Sequence, residues 1–341
     1  MLHRSEPAPS MPTNPILSIV TPTRGNFSPD WLERLLQVEG NVEFVLVYPP
    51  HAAVRAIDDP RIKSLLSPYK GEMMQRFVGL LNATGEFVIA LDDDDFLHPQ
   101  VLALVEAYFN HFPKSWILRL QKAVIDFRNT DRITRSWDTL PVIEALAVDQ
   151  KTLENPNPYQ SGKFTGLLEV PIAPLNIPFD LRRVFLPFTK RKDNHGYHFE
   201  NFNNIVWRNC LVQQALPDLA SVTALGGVLT WIPQSGFDRL LGLFVQAKFF
   251  QPNLIIGHWI PGAEQIRYID KPATLKPPRF HVLSDLLLVK RFPQYGYLWN
   301  LFFAKLYGVP RTFAKLLKLK WKVGRSTATN LPGSPEINSV N

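Results

Sequence analysis

The chain has 341 residues, enough for one large domain or two ordinary ones, and its 45% apolar and 20% charged content is that of a soluble globular protein. One cysteine, Cys210, excludes an internal disulfide framework, and no run of about 18 uncharged apolar residues is present to span a bilayer. The net charge of +7 is uneven: from Leu286 to Pro335 there are nine Lys or Arg and no acidic residue, so the rest of the chain is slightly negative and the basic end points to an anionic partner.

The first fifteen residues, M-L-H-R-S-E-P-A-P-S-M-P-T-N-P, lack an apolar signal core and are expected to be a disordered leader. Leu17 to Thr21 predicts a buried strand that runs into the turn P-T-R-G-N. A helix is expected over Pro29 to Val38, with Ser28 as N-cap, Pro29 at the first helical position and Leu32, Leu35 and Leu36 on one face. Val42 to Tyr48 predicts a second strand stopped by Pro49 and Pro50, Arg61 to Ser67 a short third, and Gly71 to Thr84 a helix. Phe87 to Leu91 predicts a further buried strand, and this one ends in four carboxylates, Asp92, Asp93, Asp94 and Asp95.

Strands alternating with helices over about a hundred residues predict a doubly wound, mostly parallel α/β sheet, in which ligands bind beyond the carboxyl ends of the strands. Four adjacent carboxylates at such a strand end repel one another unless a cation is present, and hard oxygen ligands suit Mg²⁺ or Mn²⁺ with a substrate diphosphate. The same four residues also suit a solvated acidic turn ahead of the helix expected over Pro99 to Phe112.

Further on, Trp116 to Asp126 predicts a strand, and Asn129 to Asn204 is irregular and rich in proline. It contains the charged, His-bearing segment T-K-R-K-D-N-H-G-Y-H, which reads most simply as a solvated loop. Strands are expected at Ile205 to Arg208 and Ile266 to Ile269, and an amphipathic helix at Phe237 to Phe250. There is no internal repeat and no Cys/His spacing suited to zinc.

The stretch G-E-M-M-Q-R-F-V-G-L-L-N-A-T-G-E-F-V-I-A-L-D-D-D-D, Gly71 to Asp95, together with S-I-V-T-P-T-R at Ser18 to Arg24 and Pro99, resembles the family-2 glycosyltransferases with the GT-A fold. Arg76, Gly79, Ala83, Gly85 and Glu86 fall on that family's helix pattern, and the acidic run on its D-x-D metal motif. The resemblance implies a donor site at Pro22, Thr23, Tyr48, Arg76, Asp92 and Asp93, and a divalent cation, Mn²⁺ or Mg²⁺, on Asp94 and Asp92. Asp95 is implied as an outer ligand or as facing the acceptor. Arg76 is expected either in the donor's neighbourhood or as a salt bridge from its helix to the Asp cluster. Three positions depart from the family: Tyr48 and Pro49 replace a base-reading Asp pair, so that Tyr48 is expected to stack on the base; Phe77 replaces an Asn; and Phe237 replaces the first of an acidic pair.

In the second half N-N-I-V-W-R-N at Asn203 to Asn209 and S-G-F-D-R-L-L-G-L at Ser235 to Leu243 resemble the family's later strand and helix. They imply Asp238 as the catalytic base, although Asp238 also suits a helix N-terminus on its own. I-R-Y-I-D-K-P-A-T-L-K-P-P-R-F-H implies His281 as a further metal ligand or diphosphate contact. Domains are expected as a nucleotide-sugar half over 16–112, an acceptor half over 113–285 and a basic extension over 286–341.

The expected activity is transfer of a sugar from a nucleotide-sugar to a glycan or lipid-linked acceptor, with inversion; the rival is a GT-A-fold protein that binds a nucleotide or glycan without turnover. A nucleotidyltransferase lacks its Gly-rich, Lys-bearing loop, and a haloacid-type phosphatase lacks Thr or Val after its Asp pair. From Pro310, R-T-F-A-K-L-L-K-L-K-W-K has the pattern of an interfacial helix, with Phe313, Leu316, Leu317 and Trp321 on one face and Lys315, Lys318 and Lys322 on another, and Leu298 to Val323 is expected to hold the protein on a membrane; the same helix also suits packing of its apolar face on the domain with the lysines in water. The expected location is therefore cytoplasmic and peripheral to an anionic membrane, with nucleic acid disfavoured because no nucleic-acid module accompanies the charge.

Overall fold

The computed structural model describes residues 14–149, 165–185, 198–223, 237–270, 281–315 and 317–318. Its first part comprises β1 (Leu17–Pro22), α1 (Pro29–Leu36), β2 (Val42–Tyr48), β3 (Ile62–Leu66), α2 (Glu72–Leu81) and β4 (Phe87–Ala90). Then come β5 (Phe96–Leu97), α3 (Val101–His111), β6 (Ile117–Arg119), β7 (Lys122–Asp126), the short helix α4 (Thr130–Thr134), β8 (Val148–Asp149), β9 (Leu167–Pro171) and α5 (Arg182–Phe185). The rest is β10 (Ile205–Arg208), α6 (Asn209–Thr223), α7 (Phe237–Lys248), β11 (Ile255–Trp259), β12 (Ile266–Asp270), α8 (His281–Arg291) and α9 (Gly296–Leu306).

The main sheet has the strand order β3-β2-β1-β4-β10-β6-β11-β9-β8. Its first four strands are mutually parallel, and β10 enters between β4 and β6 antiparallel to both. The α/β, mostly parallel sheet expected from the sequence is therefore present. A second sheet, β5-β12-β7, forms directly after the acidic turn.

Alternation along the strands explains why helices lie on both faces. Leu17, Ile19, Phe44, Leu46, Phe87 and Ile89 join a core with Trp31 of α1 and Val105 and Phe109 of α3. Their neighbours Val20, Val45, Val47, Val88 and Ala90 join the other core, with Phe77 and Leu80 of α2 and residues of α6, α7, α8 and α9. Gly79 sets how close α2 comes: a Cβ there would lie 2.4 Å from Val20 Cγ1 and 3.0 Å from Val47 Cγ2. α1 begins as expected, with Ser28 accepting from the Trp31 N–H and Pro29 in the first turn.

Several expectations are corrected. The single strand expected over 116–126 is two strands, β6 in the main sheet and β7 in the second. Helices α6 and α8 had no counterpart in the reading of the sequence. Of the stretch Leu298 to Val323 expected at a membrane, the first part is a core helix: Tyr297, Leu298 and Leu301 of α9 have no exposed surface and pack in the same core as Leu288 and Val289 of α8. This core includes Leu298 and Leu301 of α9. Most of the leader, most of the segment at 189–198, and Leu316, Trp321 and Lys322 lie outside the described residues.

Candidate active site

Because β1, β2 and β4 are parallel, their carboxyl ends share one edge of the sheet, and the acidic turn leaves β4 there. The turn is fastened from three sides. The Thr23 hydroxyl donates to Asp93 Oδ2 at 2.8 Å, tying the end of β1 to it. Gln75 of α2 donates its side-chain amide to the carbonyls of Thr23 and Val47 at 2.7 and 2.5 Å, holding β1 and β2 in line. Trp31 Nε1 donates to the Asp95 carbonyl at 2.8 Å, and the Asp95 N–H closes the turn on the Asp92 carbonyl at 3.1 Å.

Asp92, Asp94 and Asp95 can each place one carboxylate oxygen within 4.8 Å of the others, which is the separation a single cation needs. Asp95 is 1% exposed, and its Oδ1 is buried without a hydrogen-bond partner. Burial, then the charges of Asp92 and Asp94, push its carboxyl up to about 8. Asp93 is also raised, by burial first and then by Asp94 and Asp92, against the Thr23 hydrogen bond. Hard oxygen donors that are too crowded to ionise together fit Mg²⁺ or Mn²⁺. The second sheet brings Tyr268 and Lys122 to this turn. Tyr268 is raised by burial and by the charges of Asp95, Asp92 and Asp94, and Lys122 lies 5.0 Å from its ring.

Arg76 sits beneath the turn, with its side chain 2% exposed. Its Nε donates to Glu72 at 3.1 Å, its Nη1 to Asn203 Oδ1 at 2.8 Å, and its Nη2 to Asp92. Asp238 Oδ1 is 3.8 Å from Nε. Burial disfavours the guanidinium charge, but Asp238, Asp92 and Glu72 outweigh it and raise the pKa. The salt bridge expected for Arg76 is thus present, and it also reaches Asp238. Asp238 lies in the first turn of α7, and its carbonyl accepts from the Phe202 N–H at 2.9 Å. The next residue, Arg239, pairs with Glu200 at 2.9 Å and Asp285 at 3.2 Å. Burial opposes the Glu200 charge, yet hydrogen bonds from His198 and Tyr297 and the charge of Arg239 hold its carboxyl far below the usual range.

The two aromatic departures from the family pattern meet here. Phe77 follows Arg76 and Phe237 precedes Asp238, and their rings pack edge-on at 6.4 Å between centroids. The contact joins α2 to α7 where the two charged residues face each other.

Other expected site residues are placed differently. Tyr48 is 0% exposed, with its ring against Gly25, so no face is open for a base to stack on; burial raises its hydroxyl pKa. Pro22 and Thr23 are buried under the turn as supports. His281 opens α8 and is not part of the carboxylate group, whose third member is Asp95. Arg279, next to it in the motif, lies outside the described residues. Asn203, Gln75, Lys122 and Tyr268 were not singled out from sequence; Gln75, Asn203 and Tyr268 lie inside the quoted motifs, whereas the pairing of β12 with β7 that brings Tyr268 and Lys122 together left no local signal.

No protein-family model matches the chain, and no curated protein sequence matches it. Among solved structures, the chain is similar to S. aureus TarS residues 1–349 in complex with UDP-GlcNAc, at 14% identity and a TM-score of 0.46, over 81% of this chain and 66% of that one. A second TarS 1–349 structure aligns at 13% identity and a TM-score of 0.46, over 94% and 76%. Against a further TarS crystal structure the alignment covers 82% of this chain and 43% of that one, at a TM-score of 0.43. The chain thus spans just under two thirds of the first of these and under half of the last. Such distant likeness assigns no substrate.

Two outcomes are expected from this geometry. Arg76→Met leaves Asp92 and Asp238 without a counter-charge and lowers unfolding free energy by about 3 kcal/mol, the lower end of the range for breaking buried pairs because both carboxylates are partly exposed. Urea denaturation measures this, and a loss under about 0.5 kcal/mol, the scale of ordinary surface changes, contradicts the bridge. For Asp95, a folded pKa of about 8 against 3.8 unfolded means that its protonated form favours folding below about pH 4, and that this contribution is lost as pH rises toward 8. Without divalent metal, Asp95→Asn therefore melts higher than the parent at pH 8 and gains little near pH 4. Mn²⁺ at pH 8 raises the parent's melting temperature more than the variant's. A gain independent of both pH and metal contradicts the assignment.

Proposed function

We propose that the protein is a metal-dependent glycosyltransferase that moves a sugar from a nucleoside diphosphate donor to an acceptor hydroxyl with inversion. The observation that carries this reading is the carboxylate group of Asp92, Asp94 and Asp95 at the strand ends, coupled through Arg76 to Asp238. The sequence motif from Gly71 to Asp95, which resembles the family-2 pattern, supports it independently.

In this reading Asp94, Asp92 and Asp95 hold a divalent cation, which supplies electrostatic stabilisation to the departing diphosphate. Asp238 accepts the proton of the acceptor hydroxyl as its oxygen bonds to the anomeric carbon. The bond from that carbon to the diphosphate oxygen breaks, and its electron pair leaves with the nucleotide. Arg76 acts as a positioning residue: it fixes Asp92 and Asp238 relative to each other while remaining under the site. Tyr48, being buried, does not read the base, so base recognition falls to groups outside the expected set. The acceptor is a glycan or a lipid-linked hydroxyl.

The binding-only alternative draws on one observation, the buried Phe77–Phe237 pair where the family carries polar residues. Turnover separates the two. A panel of nucleotide-sugars incubated with Mn²⁺ is expected to yield free nucleoside diphosphate, and none from any donor contradicts the enzyme. Asp238→Asn is expected to lower turnover by roughly 10² to 10⁴ while donor affinity stays within a fewfold; unchanged turnover removes Asp238 from the reaction. Asp94→Ala is expected to abolish Mn²⁺-dependent nucleotide binding by calorimetry, and unchanged affinity removes it from the metal.

A further inference from the structure

The outer end of α9 carries a surface that the site does not use. Where α9 leaves the core, Leu306 and Tyr307 are each 38% exposed. The Tyr307 hydroxyl donates to the Val184 carbonyl, which fastens α5 beside it. That segment carries Leu181 and Phe185, 65% and 78% exposed, next to the end of α9. Beneath them the Phe179 ring packs on Phe303 at 5.4 Å and on Trp299 at 6.2 Å, along an open cleft of about 470 Å³. The chain then continues as helix over 309–315 and 317–318, where Phe313 and Leu317 are 53% and 67% exposed.

Among the described residues from 305 to 318 every charged side chain is basic. Lys305, Arg311, Lys315 and Lys318 are all exposed, and no acidic residue occurs between 286 and 335. Arg311, Lys315 and Lys318 recur at helical spacing on one side of this helix, and Phe313 and Leu317 lie on the other, so that apolar and basic groups divide one helix between two faces. Asp180, the acid nearest in sequence to Phe185, is paired with Arg182 at 2.8 Å.

We propose that this surface, built from 181–185, 305–315 and 317–318, docks the protein on an anionic lipid bilayer, with Phe185, Leu181 and Leu317 entering the acyl boundary and the four cations meeting headgroups. Apolar groups flanked by basic ones suit the interface of a membrane, where each kind finds its own layer. A symmetric pairing of two copies through the same patch would set like charges against each other. Nucleic acid would satisfy the cations but leave Leu181 and Leu317 in water. The inference is independent of the chemistry at the acidic turn, and it relocates the interface: the buried face of α9 is core, and the membrane side begins at Lys305 and includes a segment more than a hundred residues earlier.

Flotation of the full chain tests it, with vesicles of phosphatidylcholine alone and of phosphatidylcholine with phosphatidylglycerol. Binding is expected only to the anionic vesicles and is expected to weaken at high salt. The pair Phe185→Glu with Leu317→Glu, and separately Arg311→Glu with Lys315→Glu, are each expected to reduce it at least about tenfold with the melting temperature unchanged. These positions are exposed, so the substitutions leave the packing intact. The proposal is overturned if the parent ignores anionic vesicles at low salt, if Phe185→Glu with Leu317→Glu binds like the parent, or if the patch instead forms a dimer that those substitutions split.

Discussion

A buried guanidinium is the constraint on which the site depends. Arg76 lies under the strand ends with almost no contact with water, where an isolated charge would cost several kcal/mol. It is tolerated because Glu72, Asn203 and Asp92 accept from its three nitrogens and Asp238 lies within reach of Nε. Those partners come from α2 itself, the turn after β4, the segment before β10 and the start of α7. One side chain therefore fixes four parts of the chain at the place where chemistry is expected.

The surrounding packing serves the same register. Gly79 lets α2 press onto β1 and β2, and Gln75, one residue before Arg76, holds the ends of both strands through their carbonyls. Phe77, one residue after it, meets Phe237 of α7. A Cβ on Gly242 would lie 2.4 Å from the Glu200 carbonyl, so α7 also runs close along the segment that carries Asn203. Charges at the start of α7 divide between two networks, Asp238 toward Arg76 and Arg239 toward Glu200 and Asp285. The open side of the site is thereby left to the carboxylates, whose mutual repulsion is relieved by a cation or by protonation.

What could be read from the sequence was what the chain keeps local. Helix, strand and acidic turn are contiguous from Gly71 to Asp95, so their spacing carries the carboxylate turn and the arginine beneath it, and the pairing of Arg76 with Asp92 was one of two roles foreseen for it. Asp238 was placed at a helix start, but its neighbour Arg76 is 162 positions earlier and no periodicity reports such a contact. Tyr48 ended a strand at the expected edge, and sequence could not tell that its ring turns under Gly25 instead of outward. The strand over 116–126 was read as one because Leu120 and Gln121, where it changes sheets, interrupt no hydrophobic pattern. The apolar residues of α9 suit a membrane surface as well as a core; only packing beside α8 decides which.

Under the proposed function, Asp92, Asp94 and Asp95 would hold a divalent cation beside a bound nucleoside diphosphate at the end of β4. A crystal of the protein grown with Mn²⁺ and a nucleoside diphosphate, measured at the manganese absorption edge, tests it most directly. The expected result is one anomalous peak in contact with carboxylate oxygens of that group and with the diphosphate. A diphosphate bound with no metal between it and these residues, or manganese held elsewhere with the three carboxylates bare, would contradict it.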